Sequence, residues 1–150
     1  MKNKLWVVLT VAIIWIFIIA CESSSSTSYN GKSGSANETN SSCESSGKQG
    51  MCSGRLNNLS GTFYKEISNT SIRATDKQAN VTVNITVGNG DVSVYLLDSR
   101  ENKTAVEVKA GKTGELKGVA VVTSKKFKIF FETGSEKIDQ VDYSIKYSVE

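Results

Sequence analysis

An all-β fold is predicted for this chain of 150 residues: a small antiparallel β-sandwich, of jelly-roll or immunoglobulin-like type, behind a disordered Ser-rich tether. Three observations predict it. Apolar and polar residues alternate with a period of two over much of residues 60–150, turn residues interrupt that alternation at intervals of roughly 8–12 residues, and no segment carries a convincing 3.6-residue period.

The alternation is clear from Val81, where Val81, Val83, Ile85 and Val87 share one face and Thr82, Asn84 and Thr86 the other. Gly88-Asn89-Gly90-Asp91 is a hairpin signal, after which Val92, Val94 and Leu96 return to the core face opposite Ser93, Tyr95 and Leu97. Asp98 to Asn102 turns the chain into a strand around Thr104–Lys109, and Gly111-Lys112-Thr113-Gly114 turns it again. A short apolar run, Val119 to Thr123, precedes Lys126–Glu132, where Phe127, Ile129 and Phe131 lie on one side. After a turn at Thr133–Lys137, the last strand sets Val141, Tyr143, Ile145, Tyr147 and Val149 against Asp142, Ser144, Lys146 and Ser148. Phe63 and Ile72 are expected on two weaker strands ahead of these, giving seven or eight in all. The Val-Tyr-Leu-Leu-Asp, Phe-Lys-Ile-Phe-Phe and Tyr-Ser-Ile-Lys-Tyr strands together resemble the small accessory β-sandwiches of secreted bacterial proteins.

The N-terminus has a different logic. Lys2 and Lys4 precede Leu5–Ala20, an almost unbroken apolar run of 16 residues, which is the layout of an export signal and slightly short for a membrane span. The run closes on Ile18-Ile19-Ala20-Cys21 and a polar, Ser-rich segment follows at once. This resembles the lipobox of bacterial lipoproteins. The resemblance implies a signal peptide over residues 1–20, cleavage before Cys21, and a diacylglyceryl group on its thiol. Such a protein is expected at the extracytoplasmic face of the cell membrane, held there by two acyl chains.

Residues 21–59 are rich in Ser, Gly, Asn and Thr and are expected to form a flexible tether, with the sandwich over residues 60–150. With Cys21 assigned to lipid, Cys43 and Cys52 remain as an even pair. They either form a disulfide, closing a short loop eased by Gly47 and Gly50, or stay as free thiols in the arm.

Composition narrows the chemistry. His is absent, which excludes His-based acid/base catalysis and His-containing zinc sites. Trp6 and Trp15 both fall in the leader. Setting Lys2 and Lys4 aside leaves 16 basic against 15 acidic residues, so there is no electrostatic case for nucleic acid. Pro is absent as well, leaving turns to Gly, Asn, Asp and Ser.

The remaining motifs are sparse. Ser45-Ser46-Gly47-Lys48 and Lys112-Thr113-Gly114 match fragments of the penicillin-binding signature, but the Ser-Asp-Asn element is missing and the chain is too short for that fold. Loop acids (Asp91 beside Asn89, Asp98 with Glu101 and Asn102, Asp139 with Asp142) either form an oxygen-ligand site or serve as turn formers, and no Asp-x-Asp-x-Asp spacing favours the site. Seven Asn-x-Ser/Thr sequons, at Asn37, Asn40, Asn58, Asn69, Asn80, Asn84 and Asn102, follow from the composition. Tyr95 and Phe130, joined by Tyr64, fall on the nominally polar face, either as an aromatic patch for a partner or as a second buried face. Lys125, Lys126 and Lys128 make a small basic spot.

The expectation is a membrane-anchored lipoprotein whose sandwich binds an envelope protein or glycan, without catalysis, cofactor or metal. The alternative is a structural or exclusion role at the cell surface.

Overall fold

The cleanest alternation in the sequence, Val141–Val149, becomes a strand paired on both sides in the larger of two sheets. The computed structural model describes residues 34–134 and 136–150. The leader, Cys21 and the first part of the tether lie outside the described residues.

Nine strands form among the described residues: β1 (Ser35–Ser46), β2 (Gln49–Ser60), β3 (Thr62–Ser68), β4 (Gln78–Val87), β5 (Val92–Leu97), β6 (Lys103–Val108), β7 (Thr113–Val121), β8 (Lys126–Thr133) and β9 (Val141–Val149). They make a five-stranded sheet, β1-β2-β9-β4-β7, and a four-stranded sheet, β3-β8-β5-β6. Every ladder between them is antiparallel.

The pairing is nested: β2 pairs with β9, β3 with β8, β4 with β7 and β5 with β6. This is one long hairpin whose two arms wrap together, bringing β4 beside β9 and β5 beside β8. That is the jelly-roll arrangement, with β1 added at one edge. An immunoglobulin-like sandwich would group its strands differently, so of the two expected types the jelly roll is the one present.

The core lies between the sheets. Val81, Val83, Ile85 and Val87 of β4, Phe127, Ile129 and Phe131 of β8, and the odd-numbered residues of β9 are all buried. On β2 the inward positions are Gly50, Cys52, Gly54 and Leu56, paired with Tyr147, Ile145, Tyr143 and Val141. A Cβ on Gly54 would sit 2.5 Å from the Tyr143 hydroxyl, and one on Gly50 would sit 2.4 Å from that of Tyr147. The two glycines therefore make room for the two tyrosines that fill this end of the core.

Three expectations are corrected. The tether was expected to run to residue 59, but residues 35–60 form β1 and β2. Burial of Cys52, Leu56 and Leu59 against β9 and the facing sheet offsets the chain entropy of this polar segment. Ile72 is buried, but in the loop between β3 and β4 rather than on a strand. There Asn69 Oδ1 accepts from the Ser71 amide and Asp76 Oδ2 from the Arg73 amide, so short polar side chains hold turns instead of a ladder. The run at Val119 is the end of a longer strand starting at Thr113, whose inward positions include Gly114 and Gly118 against Val108 and Leu96.

β1 is an exposed edge strand, and two side-chain links add to its ladder with β2. Cys43 and Cys52 are register partners in the β1–β2 ladder, with Cα atoms 4.1 Å apart, and are joined as a disulfide. In the other link, the Glu38 carboxylate reaches across to β3, where Lys65 points inward between Phe63 and Ile67. Lys65 Nζ donates to Glu38 Oε2 at 2.7 Å and to Ser41 Oγ at 3.0 Å, and the Tyr143 hydroxyl also donates to Glu38. Burial and this bond to Glu38 raise the Tyr143 hydroxyl above its ordinary value, keeping it protonated and a donor.

The Asp76 carboxylate also ties the β3–β4 loop to the β1–β2 turn, accepting from Lys48 Nζ at 2.8 Å. That bond and the Arg73 amide hold it below the usual carboxylate range. The unfolded chain then takes up a proton near pH 4 where the folded chain does not, so this contribution is present above that pH and lost as pH falls through the folded value. Asp76→Asn is expected to flatten the loss of stability between about pH 5 and pH 3. Urea unfolding across that range checks this, and an unchanged slope would contradict it.

Candidate binding face

The outer face of the four-stranded sheet is built by the residues that alternate away from the core. Tyr64 of β3 pairs with Phe130 of β8, Phe130 with Tyr95 of β5, and Tyr95 with Ala105 of β6. Three rings therefore stand in one row across three strands, all half-buried. Tyr95 and Phe130 stack with centroids 4.9 Å apart and planes 5° from parallel, and Tyr64 leans on Phe130 at 5.9 Å.

Lysines cap this row. Lys103 Nζ lies 3.9 Å from the Tyr95 ring centroid, and Lys128 Nζ lies 4.2 Å from that of Tyr64. A ring stacked on Phe130 at that distance has no room for an ammonium on the same side, so both faces of Tyr95 are covered. Each cation–π contact contributes about 0.5–1 kcal/mol at such an exposed site. The row thus offers ring edges and hydroxyls rather than a bare stacking platform. Burial, with the nearby negative charge of Glu132, raises the Tyr95 hydroxyl above its usual value.

A cleft opens beside the row for a reason visible in the ladders. Pairing between β5 and β8 covers Val92–Tyr95 against Phe130–Thr133 and stops, although β5 continues to Leu97 and β8 starts at Lys126. The strands part beyond Tyr95 and Phe130. Leu97, Val121, Phe127 and Phe130 line the gap, which measures about 450 Å³. Its rim carries Glu66, Lys126 and Lys128, with the hydroxyls of Thr123 and Ser124. Cavities of this size with a mostly apolar lining and a few polar groups are the usual form of a ligand site.

One wall is the turn between β7 and β8. Thr123 and Lys126 exchange backbone hydrogen bonds at 2.8 and 3.1 Å, and Ser124 and Lys125 between them have φ of 53° and 65°. That is a type I′ geometry, which favours Asn and Gly, filled here by Ser and Lys. Left-handed backbone at an L residue costs about 1–2 kcal/mol, and such strain tends to collect at functional sites.

Other candidates are dispersed. Lys48 is paired with Asp76, and Lys112-Thr113-Gly114 straddles the start of β7. Asp91 is paired with Lys109, Asp98 accepts from the Arg100 and Asn102 amides, Asp139 accepts from the Asn58 amide, and Asp142 is paired with Arg55. Hydrogen bonds lower the Asp91 and Asp98 carboxylates, from Lys109 and Asn102 respectively, which suits turn and ion-pair roles. Among the described residues no three Cys, Asp or Glu side chains converge as a metal site. Of the basic spot, Lys126 and Lys128 reach the rim of the cleft. Leu97, Val121 and Lys103 were not singled out from sequence. For Leu97 and Val121 the signal was an apolar residue at a wet position, as in Leu96-Leu97 and Val121-Val122, and Lys103 carries none.

No protein-family model matches the chain, and no curated protein matches it. Similar solved structures include the cycloalternan-forming enzyme of Listeria monocytogenes with a pentasaccharide substrate, at 10% identity over 75% of this chain and 11% of that one, TM-score 0.36. They also include the coconut allergen cocosin, at 16% identity over 82% of this chain and 28% of that one, TM-score 0.35. A third is the Drosophila melanogaster CENP-C cupin domain, at 11% identity over 97% and 98%, TM-score 0.27. The chain spans a small part of the length of the first two. At these scores the fold assignment rests on the nested pairing alone. The expectation of a chain without catalysis is corrected, an enzyme standing among the similar solved chains.

Proposed function

We propose that this chain is an extracytoplasmic lipoprotein, anchored in the cell membrane through diacylated Cys21, whose jelly roll is a binding module for an envelope component or protein. The address rests on Ile18-Ile19-Ala20-Cys21 behind its apolar run. The binding role is carried by one observation, the cleft between β5 and β8 beside the row Tyr64, Phe130 and Tyr95. A purely structural or exclusion role calls for a uniformly polar surface, and this face departs from that.

The test is cross-linking on intact cells followed by affinity capture, comparing the natural chain with Phe130→Ala. A defined partner whose yield drops about tenfold in the variant is the expected result, the loss of one central aromatic anchor. The same capture pattern for both chains would place binding elsewhere, and no reproducible partner would favour the structural role.

A further inference from the structure

The chemistry of the cleft narrows what it takes, on the reading that the jelly roll is a binding module. We infer that the cleft binds a small organic acid, an apolar body of one or two rings bearing a single carboxylate, with the body on Leu97, Val121 and Phe130 and the carboxylate on Lys128.

Three observations carry this. The lining is mainly apolar and about 450 Å³ in volume, so it suits a compact hydrophobic body better than an extended polar chain. The charges at the rim do not cancel. Lys126 Nζ is bonded to Glu66 Oε1 at 2.7 Å, which occupies the one carboxylate among the described lining residues. Lys128 faces Glu66 in the β3–β8 register yet forms no ion pair among the described residues, and its Nζ rests over the Tyr64 ring instead. One positive charge is left at the mouth of an apolar cleft. A single anionic group matches it, and a charge-assisted hydrogen bond there is stronger than the cation–π contact it would replace. The third observation is the room for that group. The ladder between β5 and β8 ends before Leu97, so the cleft is open on the side from which Lys128 can turn inward.

A cation is disfavoured by Lys128, and an extended polar chain by the apolar lining. A ligand with two or more anionic groups would meet Glu66.

The experiment titrates the full chain, in lipid nanodiscs, with 3-phenylpropionate and separately with 3-phenylpropanol, following the Leu97 and Val121 methyl signals by NMR. Saturable shifts with the acid are expected, about tenfold weaker with the alcohol and about tenfold weaker for the acid in Lys128→Gln, with Lys128→Arg restoring most of the affinity. Equal affinity for acid and alcohol, or an unaffected Lys128→Gln, would overturn the assignment of an acid while leaving the cleft as a binding site. No saturable shift with either compound would overturn the inference, and the cross-linking on intact cells then decides separately whether the module binds by another face.

Discussion

Phe131→Ala is expected to lower the free energy of unfolding by about 3–5 kcal/mol, the range for truncating a fully buried phenylalanine. Phe131 is fully buried, pairs with Val94 on one side and Phe63 on the other, and its ring lies 6.3 Å from that of Phe63 and 5.7 Å from that of Tyr143. Tyr143 belongs to the opposite sheet, so the Phe131 ring joins the two layers. Domains of this size have a total stability of about 5–15 kcal/mol, and the variant should therefore be marginal at 37 °C. Urea denaturation followed by circular dichroism measures it. A loss below about 1 kcal/mol would mean that the sheets do not pack through this residue.

The second large effect is expected at Glu38. Its side chain is 3% exposed and that of its partner Lys65 is 13% exposed, so both charges are substantially removed from water. Glu38→Gln keeps the shape but leaves the Lys65 ammonium without its counter-charge, and breaking such a pair costs about 3–5 kcal/mol. Replacing both partners, Glu38→Leu with Lys65→Met, removes the uncompensated charge and is expected to recover most of that loss. Denaturation of the single and double variants forms the comparison. Equal losses in both would show that shape, not charge, holds β1 against β3.

These two residues mark the limits of what the sequence disclosed. Phe131 stands in the alternation Phe127, Ile129, Phe131, which a period of two reveals directly, and β5 and β9 follow the same rule with the same inward faces. Glu38 and Lys65 carry no such signal. A charged residue at an inward position reads as a break in the pattern until its partner is known, and the partner here is 27 residues away. β2 was hidden for a related reason. Its inward positions alternate Gly50, Cys52, Gly54 and Leu56, and glycine removes half of the apolar signal while serving the tyrosines opposite. Leu59 and Cys52 alone did not outweigh a Ser- and Asn-rich composition.

The candidate site was legible in part. Tyr64, Tyr95 and Phe130 stood out because each occupies a wet position, and the ladders bring them into one row. The cleft beside them depends on where pairing between β5 and β8 ends, a property of the wrapped hairpin rather than of either strand. A sequence pattern records which face a residue takes. It does not record where two strands separated by some 30 residues stop pairing.

The central claim is that this jelly roll works outside the cytoplasm on a lipid anchor, and the most direct measurement is the mass of the mature N-terminal peptide from membranes. The account predicts a chain beginning at Cys21 and carrying a diacylglyceryl group, with Cys21→Ser released from the membrane or retained unprocessed. A chain beginning at Met1, or an unmodified Cys21, would contradict it.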